Sequence, residues 1–154
     1  MNSVAIQDLI GPENHCHGCG PENSHGHRIK SFWRDGGADC EWKAKPYHCA
    51  GATGIVNGGI IASLIDCHSV NTAMAEDYIS QGREIGSIPK IWYVTASMSL
   101  KYVKPTPINR TLRLRADIKE KEGRKTWIQC SLFADEELCA EGEVLAVRIE
   151  RKES

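Results

Sequence analysis

The sequence predicts an α+β fold in which one long helix packs on a single face of an antiparallel sheet. Three observations predict it. Residues 60 to about 80 contain neither glycine nor proline and are apolar on more than one face, the pattern of a helix inside a fold rather than on its surface. Two β-compatible runs precede that helix around an Asp35-Gly36-Gly37 step. From Ile91 onward, β-branched and aromatic residues recur in four runs separated by turn formers.

The elements follow in order. Residues 1–26 are dense in turn residues (Gly11-Pro12, Gly18, Gly20-Pro21, Asn23-Ser24, Gly26) and read as an ordered loop segment of a single 1–154 domain, with a short helix near residues 7–10. Residues 28–34 and 38–44 read as a hairpin, since Asp-Gly between β-compatible runs favours a two-residue turn. A loop punctuated by Gly51, Gly54, Gly58 and Gly59 leads into the helix, and Gln81-Gly82 ends it. The run 92–103 is a strand closed by Pro105 and Pro107, and 111–118, 126–133 and 138–149 are three more. Short connections between these four strands predict an antiparallel meander.

Composition narrows the function. The chain has 154 residues, 41% apolar and 25% charged, enough for one well-buried core. Nineteen basic against twenty acidic side chains give a formal charge of −1, which removes the electrostatic case for a nucleic-acid or membrane-surface protein. No apolar run is long enough to span a bilayer, and Met1-Asn2-Ser3-Val4-Ala5 does not read as a secretory signal. Seven cysteines, an odd number, are expected to be reduced thiols in the cytoplasm.

The segment Asn57-Gly58-Gly59-Ile60-Ile61-Ala62-Ser63-Leu64-Ile65-Asp66 carries the most chemistry. Two glycines at a helix start let a ligand approach bare backbone, and the first-turn N–H groups have no partners within the helix. Those donors and the helix dipole favour an anion or a developing oxyanion. Asp66 sits mid-helix among apolar residues, where a carboxylate must be paired, hydrogen-bonded or functional. It lies about two turns, roughly 10 Å, beyond Gly59, too far for one carbonyl group to touch both within a chain. If they act together they do so across a subunit interface, as in a two-fold dimer with antiparallel central helices. A glycine hinge plus a capping Asp66 is the other reading of this spacing.

These residues, with two further motifs, resemble the small hotdog-fold acyl-CoA thioesterases of the phenylacetate-pathway and 4-hydroxybenzoyl-CoA branch. The resemblance covers most of the chain. It rests on Cys16-His17-Gly18-Cys19-Gly20 followed by Asn23 and Gly26, on Gly51-Ala52-Thr53-Gly54 leading to Asn57-Gly58-Gly59 with Asp66 nine residues after Asn57, and on the strand 95–105 ending Tyr102-Val103-Lys104-Pro105. It implies a long central helix wrapped by a curved antiparallel sheet, assembled as a homodimer or dimer of dimers, and hydrolysis of an acyl-CoA thioester without cofactor or metal. Asp66 would be the catalytic carboxylate, as nucleophile or general base. The Gly58 and Gly59 N–H groups would polarise the thioester carbonyl from the opposite subunit, with Asn57 beside them, and the Thr95 hydroxyl would position water. Gly51, Gly54 and His48 of the glycine loop, with Lys104 and Arg110, are candidate substrate-binding residues, the two cations for the phosphates of coenzyme A. Asn57 stands where the family usually has His, and Ala50 where many members have Gln. Those departures leave open a member that binds acyl-CoA or lipid without hydrolysing it.

Other constellations read more plainly. His15, Cys16, His17, Cys19, His25 and His27 invite a zinc reading in which His25 and His27 complete a four-ligand site with the two cysteines; the resemblance assigns the cysteines to a metal-free loop near the site mouth. Cys40, Cys67, Cys130 and Cys139 read as inert core thiols and His68 as a packing residue. The Lys101, Lys104, Arg110, Arg113 and Arg115 group reads first as a solvated face. Nothing matches a nucleophile elbow, a Walker loop or a dinucleotide fingerprint.

Overall fold

A computed structural model describes residues 3–151 of the chain. A short helix α1 (Ile6–Ile10) leads into the N-terminal loop, then strands β1 (Ser31–Arg34) and β2 (Gly37–Lys43), a single turn of 3-10 helix at Pro46–His48, and helix α2 (Gly58–Ser80). Strands β3 (Trp92–Tyr102), β4 (Thr111–Glu122), β5 (Lys125–Ala134) and β6 (Glu137–Ile149) complete the chain. All six strands form one antiparallel sheet in the order β1-β2-β4-β5-β6-β3. The sheet curves around α2 as in the hotdog fold, and no helix among the described residues is long and apolar enough to cross a membrane.

The turn chemistry explains the hairpins. Asp35 and Gly36 both adopt positive φ, 49° and 73°, the type I′ geometry that matches the twist of the flanking strands. At the far end of α2, Gly82 takes φ 68° while Gly82 N–H bonds Ile79 O and Arg83 N–H bonds Tyr78 O. That paired arrangement satisfies the last carbonyls of the helix and stops it.

The sheet order corrects the predicted meander. Only β4, β5 and β6 follow one another; β3 pairs with β6, and β4 pairs with β2. The connection carrying Pro105 and Pro107 runs between β3 and β4 without forming a hairpin, so β3 becomes one edge of the sheet. Along β3 the register shifts between Thr95 and Ser97, leaving Ala96 as the extra residue of a β-bulge. The bulge changes the alternation, so Thr95 on one side of it and Met98, Leu100 and Tyr102 on the other all turn to the helix-facing side of the sheet.

The core lies between α2 and that face. Leu64, Ile65, Ala73, Ala75 and Tyr78 of the helix are fully buried against Leu112, Leu114, Ile128, Leu132 and Val144 of the strands. Each of the larger aliphatic side chains contributes about 1.5–3 kcal/mol by leaving water. Gly142 of β6 leaves room for Leu100 of β3 and Ile65 of α2 to pack over the strand, since an added Cβ would lie 2.5 Å from Leu100 Cδ2 and 3.3 Å from Ile65 Cγ2.

Two polar groups enter this core with complete sets of partners. His68 is fully buried, with Nδ1 2.7 Å from Ser31 Oγ and Nε2 2.9 Å from Ala38 O. The carbonyl can only accept, so Nε2 carries the proton and Nδ1 accepts from the serine, which in turn accepts from Gln7 Nε2 at 2.9 Å. Burial holds the ring neutral, with its pKa lowered to about 4, in keeping with the packing role predicted for it. Asp77, also buried, receives Gln81 Nε2 at 2.9 Å and Tyr93 Oη at 2.9 Å, and faces Arg148 Nη1 at 3.2 Å. Burial works against its ionisation, yet these donors and the nearby Lys121 hold the carboxyl below the usual range.

Candidate active site

The first N–H groups of α2 are satisfied unevenly. Asn57 is the N-cap, its Oδ1 accepting from Gly59 N–H at 2.8 Å and Ile60 N–H at 3.2 Å, while Ile61 N–H bonds Asn57 O at 3.2 Å. Among the described residues Gly58 N–H has no hydrogen-bond partner, so it is the donor left for a ligand. The nearest atoms to an added Cβ at Gly58 belong to the Tyr102 side chain, at 3.5 Å, and the Tyr102 hydroxyl donates to Gly58 O at 2.7 Å. The strand carrying Thr95 therefore also anchors the helix start.

Asp66 lies two turns further along α2, half-buried. Its hydrogen-bond partner is Thr95, whose hydroxyl donates to Oδ1 at 2.5 Å. Burial raises the pKa of the carboxyl, and the Thr95 hydrogen bond only partly offsets it. The contrast with Asp77 is chemical: the carboxylate in the last turn of α2 is saturated by cations and donors, whereas Asp66 in the middle of the helix keeps free lone pairs. β3, which supplies Thr95, is exposed over most of its length, with Val94 44% and Met98 38% exposed.

The remaining predicted residues fall into two groups. The loop holding Gly51 and Gly54 is tied to the 106–108 turn by Val56 N–H to Thr106 O at 2.9 Å and Ile108 N–H to Gly54 O at 3.0 Å. That places the loop against the turn between Lys104 and Arg110. Both glycines are open, with nothing within 4 Å of an added Cβ. Lys104 pairs with Glu137 at 3.2 Å and Arg110 with Asp135; these exposed pairs hold the side chains weakly. His48 touches the site through its backbone, its carbonyl accepting Asn57 N–H at 2.9 Å. Its ring packs instead among Trp42, His27 and Tyr47, and Nδ1 accepts Lys45 N–H at 2.9 Å. Burial, with Lys45 and His17 nearby, lowers its pKa. No hydrogen bond among the described residues joins it to Asp66.

The Cys/His segment does not bring together the four ligands of the zinc alternative, Cys16, Cys19, His25 and His27. Cys16 and Cys19 meet Cys67 of α2, with all three sulfurs within 4.8 Å of one another. His25 and His27 are not in that group; His27 lies in the ring cluster with His17, Trp42 and His48. Sequence reading missed Cys67 because its position in an apolar helix pattern looks like any small core residue.

A curved antiparallel sheet wrapped around one long central helix defines a hotdog-fold protein. The comparisons agree. The chain matches the solved structure of a thioesterase superfamily protein from Shewanella loihica PV-4 at 35% identity and a TM-score of 0.64, covering 84% of this chain and 98% of that one. It belongs to the thioesterase superfamily. The E. coli PaaI protein of the phenylacetic acid degradation operon shares the fold at a TM-score of 0.66 and 13% identity, covering 80% of this chain and 81% of that chain. Among curated proteins it resembles the acyl-coenzyme A thioesterase THEM4 of Rattus norvegicus, 27% identical over 90 residues, 58% of this chain and 33% of the relative. The Mus musculus counterpart is 26% identical over 105 residues, 67% of this chain and 40% of the relative. The matches thus span well under two thirds of the length of those curated relatives. No protein-family model matches the chain.

Proposed function

We propose that this protein hydrolyses an acyl-CoA thioester to a free carboxylic acid and CoA, in a site shared by two copies of the chain. The observation that carries the reading is Asp66, a half-buried carboxylate with a single hydroxyl partner beside an open sheet edge. Water attacks the thioester carbonyl carbon while Asp66 takes its proton, and the Thr95 hydroxyl keeps the carboxylate aimed. The oxyanion that forms accepts Gly58 N–H at the start of α2 of the second copy, where the helix dipole reinforces the donor. Collapse breaks the C–S bond, and the proton held on Asp66 passes to the leaving sulfur.

The second copy follows from two features. Gly58 and Asp66 on one helix are too far apart to serve one carbonyl group, about 12 Å along the axis. β3 offers unpaired edge backbone and exposed apolar side chains, a surface suited to pairing with another copy. Gly51, Gly54 and His48 line the approach, and Lys104 and Arg110 supply cations for the CoA phosphates once they leave their exposed carboxylate partners.

The test is thiol release from aromatic and aliphatic acyl-CoAs by wild type and Asp66→Asn. Turnover by wild type that is lost in Asp66→Asn supports the assignment. Equal turnover by the two removes Asp66 from the mechanism. Saturable CoA-ester binding with no turnover by wild type on any member would mark a binding protein instead.

A further inference from the structure

We propose that Cys16, Cys19 and Cys67 hold a thiophilic divalent cation of the zinc type, which clips the N-terminal loop onto α2 beside Asp66. The thiols come from segments far apart in sequence. Cys16 and Cys19 are brought to one side of a tight turn closed by Gly20 N–H to Cys16 O at 2.8 Å, and Asn14 Oδ1 fixes its start by accepting Cys16 N–H at 2.8 Å. The turn then lies directly on Cys67. An added Cβ at Gly18 would stand 2.3 Å from Cys67 Sγ, and one at Gly20 would stand 2.3 Å from Cys16 N. Only a chain without side chains at these two positions can bring the sulfurs together this way.

The spacing fits a metal better than a disulfide. Tetrahedral zinc with Zn–S bonds of about 2.3 Å sets neighbouring sulfurs about 3.8 Å apart. Cys16 Sγ and Cys67 Sγ are 3.7 Å apart, and Cys19 Sγ completes a group spanning no more than 4.8 Å. A disulfide needs sulfurs at about 2.05 Å, and it would leave the third thiol over. Asn71 adds an outer contact, donating from Nδ2 to Cys19 Sγ at 3.5 Å while anchored on Cys67 O at 2.7 Å; such N–H donors orient thiolate ligands. On binding, the three S–H protons pass to solvent and three thiolates face the cation. No fourth Cys, His or carboxylate among the described residues lies in the group, so the fourth position falls to water. The geometry stands independently of thioester hydrolysis.

The full chain, purified under reductant, is stripped with a chelator and reloaded with Zn²⁺ or Co²⁺. The expected result is about one ion per chain by elemental analysis and a thiolate-to-cobalt charge-transfer absorption. Both should be lost in Cys16→Ser and Cys67→Ser and kept in Cys49→Ser. Reloading with Zn²⁺ should raise the melting temperature of wild type but not of Cys16→Ser, whose half-buried loop position keeps the variant folded even if Cys67→Ser is not. Absence of bound ion in wild type, retention of full stoichiometry in folded Cys16→Ser, or a Cys16–Cys67 disulfide under reductant would each overturn the proposal.

Discussion

Replacing Asp77 by Asn tests whether the two α2 carboxylates, Asp66 and Asp77, do different jobs. In wild type the Asp77 carboxylate accepts from Gln81 and Tyr93 and sits 3.2 Å from Arg148 and 3.5 Å from Lys121. An amide can keep one of these hydrogen bonds, but its NH₂ then points towards donors and the charge assistance disappears. Hydrogen bonds to charged groups contribute about 1.5–3 kcal/mol. The two cations are 41% and 30% exposed, so water takes up part of the loss and about 2 kcal/mol is expected. For a domain of this size that lowers the melting temperature by roughly 4–8 °C.

Asp66→Asn should instead change stability by less than about 0.5 kcal/mol, since the amide oxygen can still accept from Thr95. The assay is thermal and urea unfolding followed by circular dichroism at one protein concentration. Because the folded protein holds Asp77 below its ordinary pKa, its contribution is present above the unfolded value of about 4 and is lost as pH falls through the folded value. The gap between wild type and Asp77→Asn should therefore close on acidification. Equal stability of Asp77→Asn and wild type at neutral pH, or an equal loss in Asp66→Asn, would refute this division of roles.

Three further outcomes follow from the same contacts. Thr95→Val removes the donor that aims Asp66 and should lower kcat about tenfold, corresponding to about 1.5 kcal/mol, with Thr95→Ser close to wild type in thiol-release assays. Ser31→Ala leaves the buried His68 Nδ1 and Gln7 Nε2 without the serine between them, and should cost about 1–3 kcal/mol in urea unfolding. Gly142→Ala drives a Cβ to 2.5 Å from Leu100 and 3.1 Å from Ser99 O, an overpacking expected to cost about 1–3 kcal/mol by the same measurement.

Much of this architecture is legible in the chain because it is locally encoded. The central helix shows as a long stretch free of glycine and proline; it begins at Gly58 rather than Ile60 because Asn57 caps it and both glycines are helical. The hairpins of β1–β2, β4–β5 and β5–β6 show at Asp35-Gly36, Gly123 and Asp135, which adopt the positive φ their turns require. What depends on distant parts meeting was not legible. The place of β3 beside β6 cannot be read from β3 alone, and the bulge at Ala96 that turns Thr95 to the helix has no local signal. Asp77 reads as the acidic exit of a helix until Tyr93 and Arg148 arrive from strands far along the chain. Cys67 reads as a small core thiol until Cys16 and Cys19 meet it. For the candidate site, residue types and spacing pointed to Asp66 and the Gly58-Gly59 helix start, the family resemblance alone pointed to Thr95, and the capping role of Asn57 shows why an asparagine suits that position.

The most direct test of the two-chain site is subunit complementation. Gly58→Pro deletes the single N–H proposed to hold the oxyanion, at the first helical position, where proline fits a helix; the preceding Asn57 already has the extended ψ of 136° that proline demands. Alone, Gly58→Pro should lose about 10²–10³-fold in kcat, and Asp66→Asn should lose turnover. Co-expressed in equal amounts, the two chains form mixed dimers in which one of the two sites carries both native groups. With random pairing, activity should recover to about a quarter of wild type. Recovery no greater than the sum of the two separate variants would contradict a site shared between chains.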